Sequence, residues 1–133
     1  MGYEQAAESG PPGNELTAKI IGAAIEVHRA LGPGLLESAY AECLAHELAQ
    51  TGVRFLRQVP VPLVYKGLKP DAGFRLDLLV EDEVVVELKS VEQLLPVHTA
   101  QVLTYLQRSG KRLALLINLN ETTLKHGIKR LVI

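Results

Sequence analysis

The chain has 133 residues, 47% hydrophobic and 22% charged, with a net charge of −1 and a single cysteine, Cys43. That is long enough for one domain with a real core and too apolar for a disordered chain. It excludes an internal disulfide and a cysteine-built metal site, and no apolar run has the length of a membrane span.

Charge is unevenly spread. Residues 1–50 hold two basic residues against seven acids, whereas residues 51–133 hold twelve against eight. A basic second part could face phosphates, and a solvated mixed surface would look the same. The first residues, MGYEQAAESGPPGNE, have neither a basic start nor an apolar core, so no secretory signal is expected and the cytoplasm is the default.

In chain order, residues 1–13 read as a disordered tail and residues 14–133 as one domain. Asn14 is a candidate N-cap for a helix, ELTAKIIGAAIEVHRAL, whose apolar stripe runs through Ile20, Ala24, Val27 and Leu31, with Ile21, Ile25 and His28 beside it. Gly32-Pro33-Gly34 ends that helix, and a second runs from about Leu35 to Gln50 with Leu36, Tyr40, Cys43 and Leu44 on one face. Beyond Gly52 the period becomes that of strands. VRFLRQVPVPLVY carries Pro60 and Pro62, which suit an edge strand. After the turn KGLKPDAG, FRLDLLV and EVVVELKSV form a hairpin. A third helix follows Pro96 and stops at Gly110, RLALLINL reads as a buried strand, and IKRLVI as a last strand. The order predicts an α/β domain around a mixed sheet flanked by helices.

The hairpin carries the strongest chemical signal. Alternation puts Phe74, Leu76, Leu78 and Val80 on one face of the first strand, and Val84, Val86 and Leu88 on one face of the second. Aligning these faces closes the loop over Glu81-Asp82-Glu83, pairs Val80 with Val84, and sets Asp77 opposite Glu87, with Lys89 two residues further along the same face. Two carboxylates across a strand pair repel, so a positive charge belongs between them. Lys89 or Arg75 could supply it within an ordinary polar sheet face. A divalent cation could also supply it, since hard cations take carboxylate oxygens.

These residues resemble a known family. GLLESAY, from Gly34 to Tyr40, matches the GxxExxY signature of a group of small proteins. Asp77 followed by Glu87-Leu88-Lys89 looks like the acidic-then-ExK core of the PD-(D/E)xK nuclease superfamily, to which that group is assigned, and the downstream His98 and Gln101 fit its HxxQ element. Leu76 stands where the proline of the motif's literal name would be.

The resemblance implies a restriction-endonuclease-like fold that hydrolyses nucleic-acid phosphodiester bonds, most simply DNA, with Mg²⁺ or Mn²⁺. It implies Asp77, Glu87 and Glu37 as metal ligands, Lys89 as the catalytic lysine, and Glu37 and Gln101 as further participants in catalysis. Tyr40, His98 and Tyr105 are candidates for substrate contact; His98, Gln101 and Tyr105 share one stripe of the third helix. As alternatives, Tyr40 is a core aromatic with its hydroxyl at the rim, the stripe an ordinary amphipathic boundary, and Cys43 a small buried hydrophobe. With few aromatic residues and no tryptophan, the chain has little material for a stacking platform. The competing functional reading is a non-catalytic nucleic-acid- or protein-binding module that keeps the fold, and a hydrolase of small phosphate esters is a third. The terminal strand IKRLVI could add to a partner's sheet edge in a homodimer.

Overall fold

A computed structural model describes residues 14–71 and 73–133; the expected tail, residues 1–13, lies outside them. Helix α1, Asn14–Leu31, begins at the residue expected to cap it. It buries Thr17, Ile20, Ala24 and Val27, spaced for one face, with Ala23 beside them. Ile25 and Leu31 do not belong to that face and are 48% and 43% exposed. Ile25 lies about 100° round the helix from Ala24, and Leu31 is the last helical residue, next to the turn. Gly32 closes the helix at φ 69°, its N–H donating to the His28 carbonyl.

Helix α2, Glu37–Gln50, starts two residues later than the spacing predicts. Leu36 is extended and 75% exposed, outside the helical periodicity. The buried face is Tyr40, Ala41, Leu44, Ala45 and Leu48. Cys43 is half-buried at its border.

The strands are β1 Phe55–Val61, β2 Phe74–Val80, β3 Val84–Lys89, β4 Leu113–Asn118 and β5 Ile128–Val132; α3, Pro96–Ser109, joins β3 to β4. They form one sheet in the order β1-β2-β3-β4-β5, antiparallel except for the β3–β4 pair. The proline-bearing β1 is an edge, as expected, because Pro60 has no N–H to give to a second neighbour. β5 is the other edge. A short 3₁₀ helix, Leu124–Gly127, was not legible from periodicity.

The sheet is a middle layer. Leu78, Val80, Val84, Val86, Leu115 and Ile117 pack towards α1 and α2, while Leu79, Val85, Ala114 and Leu116 pack with Val102 and Leu106 of α3. Being covered on both faces, β4 is buried throughout, which explains its unbroken apolar run.

The hairpin register is the predicted one: Val80 pairs with Val84, Leu79 with Val85, Leu78 with Val86. One expectation fails. Phe74 and Leu76 pack on the α3 side, not with Leu78 and Val80. The alternation changes phase at Asp77, opposite Gln58, which has a left-handed φ of 52° and falls between the β1–β2 pairs Arg57–Leu78 and Val59–Leu76.

Candidate active site

The β2–β3 ladder stops at Leu78–Val86, and carboxylates take over from backbone carbonyls. The Asp77 N–H donates to Glu87 Oε2 at 2.9 Å, and the Leu88 N–H donates to Asp77 Oδ2 at 2.8 Å. Each acid is thus locked to the other's strand by a charge-assisted bond. Glu87 is 5% exposed and Asp77 half-buried.

Burial and proximity leave the pair short of positive charge. The Glu87 carboxyl is pushed up to about 8, first by burial and then by the Asp77 charge. Asp77 is also raised, chiefly by burial, with the Leu88 N–H opposing and the Glu37 charge adding to the shift. Two unit charges about 5 Å apart repel by roughly 3 kcal/mol at an effective dielectric constant near 20, at least matching a hydrogen bond to a charged group, about 1.5–3 kcal/mol. The favoured state therefore holds a proton or a cation. Lys89 is half-buried, and its charge lowers both carboxyls. Among the described residues, however, the ion pairs are Arg29–Glu26, Arg54–Glu81, Arg57–Glu42 and Lys111–Asp82, and none includes Asp77, Glu87, Lys89 or Arg75. The ordinary polar-face arrangement, with a basic side chain clamped between the acids, is not what forms.

Lys89 ends β3 beside Asn118 at the end of β4, and its carbonyl accepts the Leu119 N–H at 2.9 Å. Asn118 is fully buried and clamps the next loop: its Oδ1 accepts from the Val91 N–H and its Nδ2 donates to the Val91 carbonyl, both at 3.0 Å. Ser90 donates from Oγ to the Leu35 carbonyl, tying the β3 exit to the loop before α2. Neither Asn118 nor Ser90 is apparent from motifs. The one available signal is that Asn118 is a polar residue ending an otherwise apolar strand.

Glu37 is the first residue of α2, exposed, and close enough for its charge to raise both Asp77 and Glu87. Tyr40 holds the loop that presents it. Its fully buried ring carries a hydroxyl that donates to the Gly32 carbonyl at 2.5 Å and accepts the Leu35 N–H at 3.2 Å. That hydroxyl is occupied by the loop.

On α3, His98 accepts the Leu95 N–H through Nδ1 at 2.9 Å and so caps its own helix. Gln101 is exposed, and among the described residues no hydrogen bond joins it to Asp77, Glu87 or Lys89. Tyr105, one turn further along the same side, stacks on Phe74 with centroids 4.4 Å apart and planes at 13°. Its hydroxyl is raised by burial and then by the charges of Glu87 and Asp77, so this end of the stripe lies within electrostatic range of the acidic pair.

The donor set suits a hard divalent cation. One oxygen of each acid is held by an amide, and among the described residues no protein donor reaches the other. Among those residues no three His, Cys, Asp or Glu side chains converge to hold an ion, so Glu37 stands beside a two-carboxylate pair and does not complete a triad with it. Two carboxylates with water filling the remaining positions is a common Mg²⁺ arrangement.

A mixed sheet between helices, with an acidic pair across β2 and β3 and a lysine at the end of the central strand β3, defines a restriction-endonuclease-like α/β domain. A family model described as the PD-(D/E)XK nuclease superfamily matches residues 14–131. The chain belongs to that superfamily. Searches of curated proteins and of solved structures returned no match. No helix among the described residues is long and apolar enough to cross a membrane.

Proposed function

We propose that the chain is a divalent-metal-dependent nuclease of the GxxExxY group, with Asp77 and Glu87 as metal ligands and Lys89 as the catalytic lysine. One observation carries the reading: a carboxylate pair, Glu87 buried and Asp77 half-buried, is fixed by backbone amides and has no ion-paired cation among the described residues. Mg²⁺ or Mn²⁺ bound there would lower the pKa of a coordinated water and offset charge on the scissile phosphate. Lys89, on the same strand face, orients the attacking water and stabilises charge developing on the phosphorane oxygens. Glu37 reaches the site through solvent at the start of α2, and Tyr105 and Gln101 line the α3 side along which substrate passes. Membership of the superfamily supports nucleic acid as substrate, and DNA in the cytoplasm is the simplest form of it.

Purified protein should cleave DNA or RNA in Mg²⁺ or Mn²⁺ and stop in chelator. Glu87→Ala and Lys89→Ala should each lower the rate by at least about 100-fold. Glu37→Gln should raise the metal concentration needed or slow turnover while leaving the melting temperature within a degree or two. If no form of DNA or RNA is cut with either metal, the enzyme reading fails and the non-catalytic module takes its place.

A further inference from the structure

The excursion between β1 and β2 has no part in the acidic pair, yet it is a built feature. Tyr65 and Leu68 exchange two backbone hydrogen bonds, each 2.8 Å, around Lys66 and Gly67. Those two residues have φ 49° and 83°, the pattern of a type I′ turn, so the tip is a two-residue hairpin of defined geometry. It carries large apolar surface into solvent: Tyr65 and Leu68 are each 61% exposed and Val64 is 44% exposed. Lys66 Nζ sits 5.4 Å from the Tyr65 ring centroid, over one face of the ring.

The surroundings are basic. Between residues 66 and 75 stand Lys66, Lys69 and Arg75 against one acid, Asp71. None of these three cations is in an ion pair among the described residues. Lys69 and Arg75 line a cavity of about 440 Å³ together with Pro60, Pro62, Pro70 and Phe74. Phe74 stacks on Tyr105, whose hydroxyl feels the Glu87 and Asp77 charges, and Arg75 lies two residues before Asp77. The Phe74–Tyr105 stack therefore links the base of this basic, apolar-tipped excursion to the α3 side of the candidate active site.

We infer that the Tyr65–Leu68 hairpin tip binds a single-stranded segment of nucleic acid next to the scissile phosphodiester, with Tyr65 stacking an unpaired base and Lys66, Lys69 and Arg75 facing backbone phosphates. This rests on the nuclease reading and gives it a substrate class. A duplex keeps its base faces stacked on one another and offers a protein mainly phosphates and groove edges. The few aromatic residues make no extended stacking platform, but a single exposed ring flanked by cations suits one base whose face is free, and aromatic stacking of this kind is sequence-tolerant. An apolar tip of this size with a basic flank also matches the charge of a polyanion better than that of an average protein surface.

The test uses the Lys89→Ala chain in Mg²⁺, which keeps both carboxylates, with a fluorescein-labelled 20-nucleotide mixed-sequence single strand and the matching duplex as probes. Fluorescence anisotropy should show tighter binding to the single strand. Tyr65→Ala should weaken single-strand binding about tenfold or more, and Tyr65→Phe should restore it. Lys66→Ala combined with Lys69→Ala should flatten the dependence of log K on log salt by roughly 1.4, at about 0.7 for each lost phosphate contact. Equal weakening for both probes, or none for either, overturns the inference. So does a change in sedimentation of Tyr65→Ala with unchanged oligonucleotide affinity, which would make the tip a protein contact. If wild-type protein cleaves while these variants bind normally, only the hairpin role falls. If wild-type protein neither binds nor cleaves, the nuclease reading falls with it.

Discussion

Glu87 concentrates the physics of the site in one side chain. Its carboxyl is held at about 8 against an ordinary 4.5, so between those values the folded chain binds a proton that the unfolded chain has lost. The group's contribution to stability is full below pH 4.5 and is lost as pH rises through about 8; Asp77, also raised, acts with the same sign. Glu81 is lowered by the Arg54 N–H and guanidinium, so its effect falls below pH 4.5 and leaves the window clear. In chelator, the melting temperature should therefore fall between pH 5 and pH 8.5. Glu87→Gln, which can still accept the Asp77 N–H, should flatten that fall and be the more stable protein at pH 8.5. Calorimetry checks both; a wild-type melting temperature that rises across the window would contradict the protonation account.

At the scale of elements, the site depends on where strands and helices end. α2 begins at Glu37 because the extended Leu36 interrupts the helix, and Tyr40 pins the preceding loop by two hydrogen bonds. Tyr40→Phe removes both and keeps the buried ring. It should cost about 1–2 kcal/mol in urea unfolding and raise the Mg²⁺ concentration for half-maximal cleavage several-fold, because the loop carrying Glu37 loosens. An unchanged Mg²⁺ dependence would separate the loop from the site. The hairpin register was legible because one slip would have exposed a row of valines and leucines. The phase change at Asp77 was not. It comes from a left-handed Gln58, a residue type with no preference for that conformation, and from side-chain-to-backbone bonds across two strands. Asn118 was hidden for a related reason. Its partners lie 27 positions back at Val91, and only the parallel β3–β4 pair brings them together. Leu36 and Leu31 were misplaced because periodicity does not say where a helix stops.

Across the whole molecule, charge is spread unevenly over the fold. The cleft between α1 and α2 is walled by Glu26, Glu42 and Glu47, of which Glu26 and Glu42 are paired to Arg29 and Arg57. Lys66, Lys69 and Arg75, none of them in an ion pair among the described residues, lie in and beside the excursion between β1 and β2. A net charge of −1 conceals this polarity, which the sequence showed only as an acidic first part and a basic second one. The proposed nuclease reading needs a divalent cation at Asp77 and Glu87, and titration calorimetry with Mn²⁺ at pH 7 tests that most directly. The account predicts one site per chain, proton release on binding because the Glu87 proton must leave, and at least a tenfold loss of affinity in Asp77→Asn and in Glu87→Gln. Absence of binding heat, or binding that both variants retain unchanged, would contradict it.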